Sequence, residues 1–253
     1  MSDAYVTLQV AESVATIEFF HPDQNSLPGI ILSQWATTIE EAGTRADVAV
    51  IILKSGGERT FCAGASFREL ITINDAETGK RFFSGFAHVI NAMRKCPKFI
   101  IGRIQGKAVG GGVGLAAATD YCFATRFAAI KLSELNVGIG PFVVSPAIER
   151  KIGVSALSQI AIDANSFYDA DWACSKGLYA KLFEDAAAMD EAILTFAKHL
   201  CTYNPEAMRE MKQVFWQDTA HWDELLIERA AISGRLVLSE FTRKTLEKFK
   251  TTA

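Results

Sequence analysis

Two short stretches near the start of the chain alternate apolar and polar residues. Val6-Thr7-Leu8-Gln9-Val10 and Val14-Ala15-Thr16-Ile17-Glu18-Phe19 place every second side chain on one face, the period of a half-buried strand, and together they predict a hairpin. His21-Pro22-Asp23-Gln24-Asn25-Ser26 is rich in turn formers and reads as a loop. From Pro28 to Ala42 the period becomes helical, with Ile31, Trp35 and Ile39 on one stripe and Glu40-Glu41 facing out. Val48 to Leu53 is a continuous apolar run rich in β-branched residues, the signature of a strand covered on both faces. A helix is predicted near residues 76–94, with Phe82, Phe83, Phe86, Val89, Ile90 and Met93 as its apolar stripe. Phe99 to Ile104 reads as another buried strand, and Gly110 to Ala118 opens another helix. Strands alternating with helices predict an α/β protein. Beyond about residue 150 the pattern turns mostly helical: Ala188–Thr202, Pro205–Gln217, and Trp222–Phe249, the last as one helix or as two broken near Ser233-Gly234.

Composition narrows the function classes. With 49% hydrophobic and 22% charged residues in 253, the chain has the make-up of a folded globular protein. A net charge of −3 supplies no general attraction for nucleic acid or an anionic bilayer. The first helix carries Arg45 against Glu40 and Glu41, so no basic face supports RNA binding. No apolar run reaches the roughly 18–20 residues of a membrane span. The opening Met-Ser-Asp-Ala-Tyr-Val lacks the basic and apolar segments of a secretory signal, so a cytoplasmic protein is expected. Five scattered cysteines without a C-x-x-C pair, and four histidines far apart, argue against a disulfide framework and against a metal site.

Two segments rich in glycine and alanine carry the candidate chemistry. Phe61-Cys62-Ala63-Gly64-Ala65-Ser66-Phe67-Arg68-Glu69-Leu70 and Gly106-Lys107-Ala108-Val109-Gly110-Gly111-Gly112-Val113-Gly114-Leu115-Ala116 each follow a strand. Small residues admit a ligand close to the backbone, and a helix start offers unpaired N–H donors. Two such donors aimed at one carbonyl oxygen form an oxyanion hole. A tight strand–helix turn is the structural alternative for either loop alone. Gly112 to Ala117 also fits the dinucleotide pattern G-x-G-x-x-A, with Glu134 20 residues beyond Gly114. The mid-chain position and the missing strand–helix–strand unit speak against that reading.

In this order and at this separation, the two loops resemble the crotonase (enoyl-CoA hydratase/isomerase) superfamily. Its first signature is similar to F-x-A-G-A-D, with Ser66 here in place of the acid; its second is similar to Gly106–Asp120. Leu132-Ser133-Glu134-Leu135-Asn136-Val137-Gly138-Ile139-Gly140-Pro141 resembles the family's P-E-x-x-x-G-x-x-P segment, and Asn25-Ser26-Leu27 its N-A-L loop. The resemblance implies a spiral of strand–strand–helix turns over residues 1–190, with the acyl-CoA site, and a helical part over 191–253 for oligomerisation. It implies an acyl-CoA thioester partner, no cofactor beyond the coenzyme A of the substrate, and trimers or dimers of trimers. Ala65 and Gly111 would donate their N–H groups to the thioester oxygen. Ala63, Ser66, Phe67 and Arg68 would line the coenzyme A side, with Arg68 either a phosphate partner or a solvated cation. Leu225, Leu226, Ala230, Leu236, Leu238 and Phe241 would drive self-association.

One departure bears on mechanism. The family's hydratases pair two glutamates; the second aligns with Glu134, but the position of the first holds Gly114, which is expected to border the acyl group instead. A single carboxylate suits proton transfer along an allylic system, an isomerase. The run through Pro141-Phe142-Val143-Val144-Ser145-Pro146 and Arg150-x-x-Gly153 looks more like the bacterial 3-methylglutaconyl-CoA hydratase branch. There one glutamate suffices in principle, because a tertiary hydroxyl leaves readily. A hydro-lyase is therefore the first expectation, with a Δ-isomerase or a catalytically degraded binding protein as alternatives. Cys62, His88, Asp120 and the phenylalanine stripe are expected to be structural.

Overall fold

The computed structural model describes residues 3–250. Its first strands, β1 (Tyr5–Ala11) and β2 (Val14–Phe20), form the expected hairpin, with Ala11 opposite Val14 and Tyr5 opposite Phe20. The two turn residues, Glu12 and Ser13, both take positive φ, which matches the twist of a tight hairpin. After β3 (Ser26–Leu27), helix α1 (Gly29–Thr44) buries Ile31, Trp35 and Ile39.

Three turns of one pattern follow. The first comprises β4 (Val50–Ser55), β5 (Thr60–Cys62), β6 (Gly64–Ala65), the single-turn α2 (Phe67–Leu70) and α3 (Ala76–Lys95). The second is β7 (Phe99–Ile104), β8 (Lys107–Val109) and α4 (Gly111–Ala117). The third is β9 (Tyr121–Thr125), β10 (Ile130–Lys131), a 3-10 turn at Glu134–Val137, and α5 (Ser145–Ile162). In each turn the long strand joins a large sheet and the short strand joins a small one. The large sheet runs β1-β2-β4-β7-β9-β11, parallel beyond the hairpin, and the small sheet runs β10-β8-β5. A spiral of strand–strand–helix turns results. Helix α6 (Ala170–Ser175) leads into the edge strand β11 (Lys181–Phe183).

Four helices follow among the described residues: α7 (Ala186–Leu200), α8 (Pro205–Phe215), α9 (Trp222–Leu236) and α10 (Glu240–Lys250). Asp185 and Asn204 cap α7 and α8 through their side chains. The region from Trp222 is two helices, but the break falls at Val237–Ser239 and not at Ser233-Gly234. Gly234 stays helical because α9 crosses α3 there: a Cβ on Gly79 would lie 2.7 Å from the Gly234 Cα. Contact between backbones, not helix breaking, explains that glycine. The same crossing corrects the expectation about the tail. Leu226 and Ala230 are fully buried within this chain, Leu225, Leu236 and Leu238 are partly buried, and Phe241 alone of the six is exposed.

The strand expected at Val48–Leu53 runs two residues later, from Val50 to Ser55. Val48 is buried before the strand begins, so burial and strand do not start together. Asp120 is structural, as expected. Its carboxylate accepts from the Ile100 N–H at 2.7 Å and from the Trp216 indole at 2.9 Å, and pairs with Lys212 at 2.9 Å. That cluster pins α8 to the ends of β7 and α4. No helix among the described residues is long and apolar enough to cross a membrane.

Candidate active site

The loop Asn25-Ser26-Leu27 sets the position of the first glycine segment. Asn25 is buried, donates its amide to the carbonyls of Gly56 (2.8 Å) and Thr60 (2.9 Å), and accepts from the His21 N–H. The backbone oxygens of Asn25 and Leu27 then accept from Ala63 and Ser66, holding β6 in register beside β3. The second glycine segment turns sharply between β8 and α4. Gly110 takes φ +54, a left-handed value that favours glycine, and its N–H donates to the Lys131 carbonyl on β10 at 2.8 Å. The two segments meet: a Cβ on Gly64 would lie 3.6 Å from the Gly111 nitrogen. Gly111 is the first residue of α4, so its N–H belongs to the group of donors that a helix start leaves without an intrahelical partner.

Glu134 enters from the third turn of the spiral. It opens the 3-10 turn that Gly138 ends in a left-handed conformation (φ +86). A Cβ on Gly110 would come within 3.1 Å of the Glu134 Oε1, so the absent side chain leaves the carboxylate free to approach the turn. Its Oε2 is shut off from solvent and has no hydrogen-bond partner among the described residues. Burial pushes the carboxyl up to about 7, and hydrogen bonds from its own backbone and that of Ser133 offset this in part. A carboxyl poised near neutrality in an apolar cleft can both accept and donate a proton.

These groups border one cavity of about 570 Å³. Ala63, Gly64, Ala65, Gly110 and Gly111 form one wall, and Phe83 and Phe86 of α3 another. Ser133, Glu134, Phe142, Val143 and Val144 line the cavity as well. Of the residues singled out in the sequence, Ala63, Ala65, Phe67, Arg68, Gly111 and Glu134 all reach this cavity. Two do not border it. Ser66 is buried and turned inward, where its hydroxyl caps α2 by accepting from the Glu69 N–H. Gly114 lies behind Val144: a Cβ there would fall on the Val144 Cβ and 2.6 Å from its Cγ1. The space that Gly114 leaves is therefore filled by a valine that itself borders the cavity.

Arg68 stands at the mouth, its side chain 83% exposed and paired with Asp23 at 3.1 Å. Such a pair is solvated and weak, so the guanidinium can exchange partners at low cost. Cys62 is fully buried, and burial pushes its thiol up to about 12, which makes it packing and not a nucleophile. His88 is exposed on α3. The phenylalanine stripe divides: Phe82 lies in the core, edge-on to Phe83, whereas Phe83 and Phe86 border the cavity. Helical periodicity finds all three but does not say which face turns to a cleft. Val144 and Ser233 also border it, and sequence reasoning assigned neither to the site.

The comparisons with known proteins agree with this architecture. Residues 9–248 match the family model described as enoyl-CoA hydratase/isomerase. A probable enoyl-CoA hydratase of Bacillus subtilis is 25% identical over 246 residues, covering 96% of this chain and 95% of that protein. Mouse mitochondrial methylglutaconyl-CoA hydratase is 30% identical over 193 residues, 75% of this chain and 61% of the other. The peroxisomal Δ(3,5)-Δ(2,4)-dienoyl-CoA isomerase of Arabidopsis thaliana is 28% identical, with 84% and 82% covered. Among solved structures, an enoyl-CoA hydratase from Bacillus halodurans superposes with a TM-score of 0.88 at 19% identity, over 96% of this chain and 99% of that one, a likeness of fold. With the family model spanning nearly all of its length and the two glycine segments and the glutamate meeting in one cleft, the chain belongs to the enoyl-CoA hydratase/isomerase family of the crotonase superfamily.

Proposed function

We propose that the cleft performs reversible hydration of an enoyl-CoA thioester, with Glu134 as the sole acid/base. The N–H groups of Ala65 and Gly111 bind the thioester oxygen. Glu134 takes the proton from the α-carbon, the electrons move onto the oxygen held by those donors, and the C–O bond to the β-hydroxyl breaks. The same carboxyl returns its proton to the departing hydroxyl, which leaves as water. No electron is gained or lost, so coenzyme A enters only as part of the substrate, and neither a metal nor a nicotinamide has a step to perform.

The observation that carries this reading is the Glu134 carboxyl beside the Gly110-Gly111 turn, its Oε2 buried and without a hydrogen-bond partner among the described residues. A β-branched substrate, 3-methylglutaconyl-CoA first among them, suits a site with one acid: a tertiary hydroxyl departs with less help than a secondary one. The methylglutaconyl-CoA hydratase among the relatives supports that choice of substrate. Val144 favours a second reading, double-bond isomerisation, because it puts hydrocarbon where a second acid would assist water. Absorbance of the conjugated enoyl thioester separates the two. Hydration predicts its loss on adding enzyme to 3-methylglutaconyl-CoA; gain from a 3-enoyl-CoA, with no loss from the 2-enoyl isomer, would replace hydration by isomerisation.

The packing at Gly114 yields a further expectation. Gly114→Glu alone overpacks against Val144 and destabilises the protein, by about 1–3 kcal/mol for a clash of this kind. Gly114→Glu with Val144→Gly recovers much of that loss in thermal unfolding. Equal Tm values for the single and double variants would show that Val144 is not the obstacle. Self-association belongs to the same proposal. It rests on surface residues such as Ile162, Val154 and Phe127, each at least 66% exposed in the single chain, in place of the buried tail positions.

A further inference from the structure

Ser233 sits on α9, in the face that crosses α3, and only 1% of its surface is exposed. What remains borders the active-site cavity. A buried serine in a helix normally donates back to a carbonyl one turn earlier, as Ser84 does to Lys80 at 2.7 Å on the facing helix. Ser233 makes no such bond and accepts none among the described residues, although its backbone oxygen accepts from Val237 in the ordinary way. Its hydroxyl is thus a polar group at the edge of a cavity that Phe83, Phe86 and Val144 also line. Leaving such a donor unpaired in apolar surroundings is unfavourable, and a ligand atom can relieve it.

Its location says which part of a ligand that would be. Phe86 packs against Gly111, where a Cβ would lie 2.6 Å from the ring Cζ, so this residue marks the oxyanion end. One turn toward the start of α3 stands Phe83, and a further turn on lies Gly79, in contact with Gly234 beside Ser233. Seven residues of helix span about 10 Å. A five-carbon acyl group, hydrogen-bonded at its thioester oxygen and again at its far end, covers a similar length.

We propose that Ser233 is a specificity residue: it donates a hydrogen bond to an oxygen acceptor at the far end of the acyl group and selects acyl-CoA substrates that carry one. This rests on the acyl-thioester reading of the site but not on the direction of the chemistry. A terminal carboxylate, as in the 3-methylglutaconyl group, is the acceptor that gains most, since hydrogen bonds to charged groups are the stronger ones.

The test uses saturated ligands that the enzyme cannot turn over, so binding is read apart from catalysis. Titration calorimetry compares 3-methylglutaryl-CoA with isovaleryl-CoA, which shares the branch and lacks the carboxylate. Ser233→Ala is expected to weaken the first by about tenfold or more and to leave the second within about twofold. Equal weakening of both would reduce Ser233 to a packing residue, and no change in either would remove it from the binding site. If neither ligand binds the wild-type protein, the acyl-thioester reading itself fails, a result separate from any effect of Ser233.

Discussion

Glu134→Gln lowers turnover of the enoyl-CoA substrate by about 100- to 10,000-fold, the range typical for losing a positioned acid/base. The amide keeps the size of the side chain but cannot accept the α-proton. Hydration and dehydration fall together, because both pass through the same carboxyl. In the wild-type protein, proton abstraction needs the carboxylate, so its rate rises with pH through an ionisation near 7, the value to which burial pushes Glu134. The variant lacks that rise.

Stability carries a second signature of the same group. The Glu134 carboxyl moves from 4.5 to about 7 on folding. Between those values the folded protein holds a proton that the unfolded chain releases, so stability falls as pH rises through the interval. A shift of that size corresponds to at most about 3 kcal/mol at alkaline pH. Glu134→Gln removes the penalty. Denaturant unfolding is therefore expected to show the variant gaining on wild type from pH 5 to pH 8. A constant difference across that range would mean that the carboxyl is not buried as described.

The second large effect concerns the Gly111 donor. Substitution there meets the Phe86 ring, so a simple Gly111→Pro change mixes loss of the N–H with a steric clash. Phe86→Ala clears the space, and the comparison is then Gly111→Ala against Gly111→Pro in that background. Proline is tolerated at the first position of a helix, so the two differ chiefly in the donor. The proline variant is expected to turn over about 100- to 1,000-fold more slowly than the alanine variant, as for loss of one oxyanion donor. Equal rates, with both proteins folded by circular dichroism, would place the oxyanion hole elsewhere.

Much of this site is legible in the sequence because its chemistry is backbone chemistry. A donor supplied by an N–H at a helix start needs small residues in order, and Ala63-Gly64-Ala65 and Gly110-Gly111-Gly112 advertise that directly. The long strands are legible for a similar reason: Phe99 to Ile104 is apolar but for Arg103, which pairs with Asp190, because both faces are covered. The short strands are not. β3, β6 and β10 have two residues each, too few for any period to show. Two of the misreadings share one cause, contact between distant segments. Ser233-Gly234 looks like a helix break until Gly79 is seen against it, and Gly114 looks like room for substrate until Val144 is seen filling it. Ser66 stands where the family signature has an acid, but local hydrogen bonding turns it inward as a helix cap.

The central claim is that Glu134 moves the α-proton of a bound acyl-CoA, and it can be measured without any net reaction. In deuterium oxide, wild-type protein should exchange the α-protons of a saturated acyl-CoA with solvent, followed by mass spectrometry. Glu134→Gln, shown to be folded and to bind the same ligand, should lose that exchange by at least about 100-fold. Exchange at the wild-type rate in the Gln variant would contradict the mechanism.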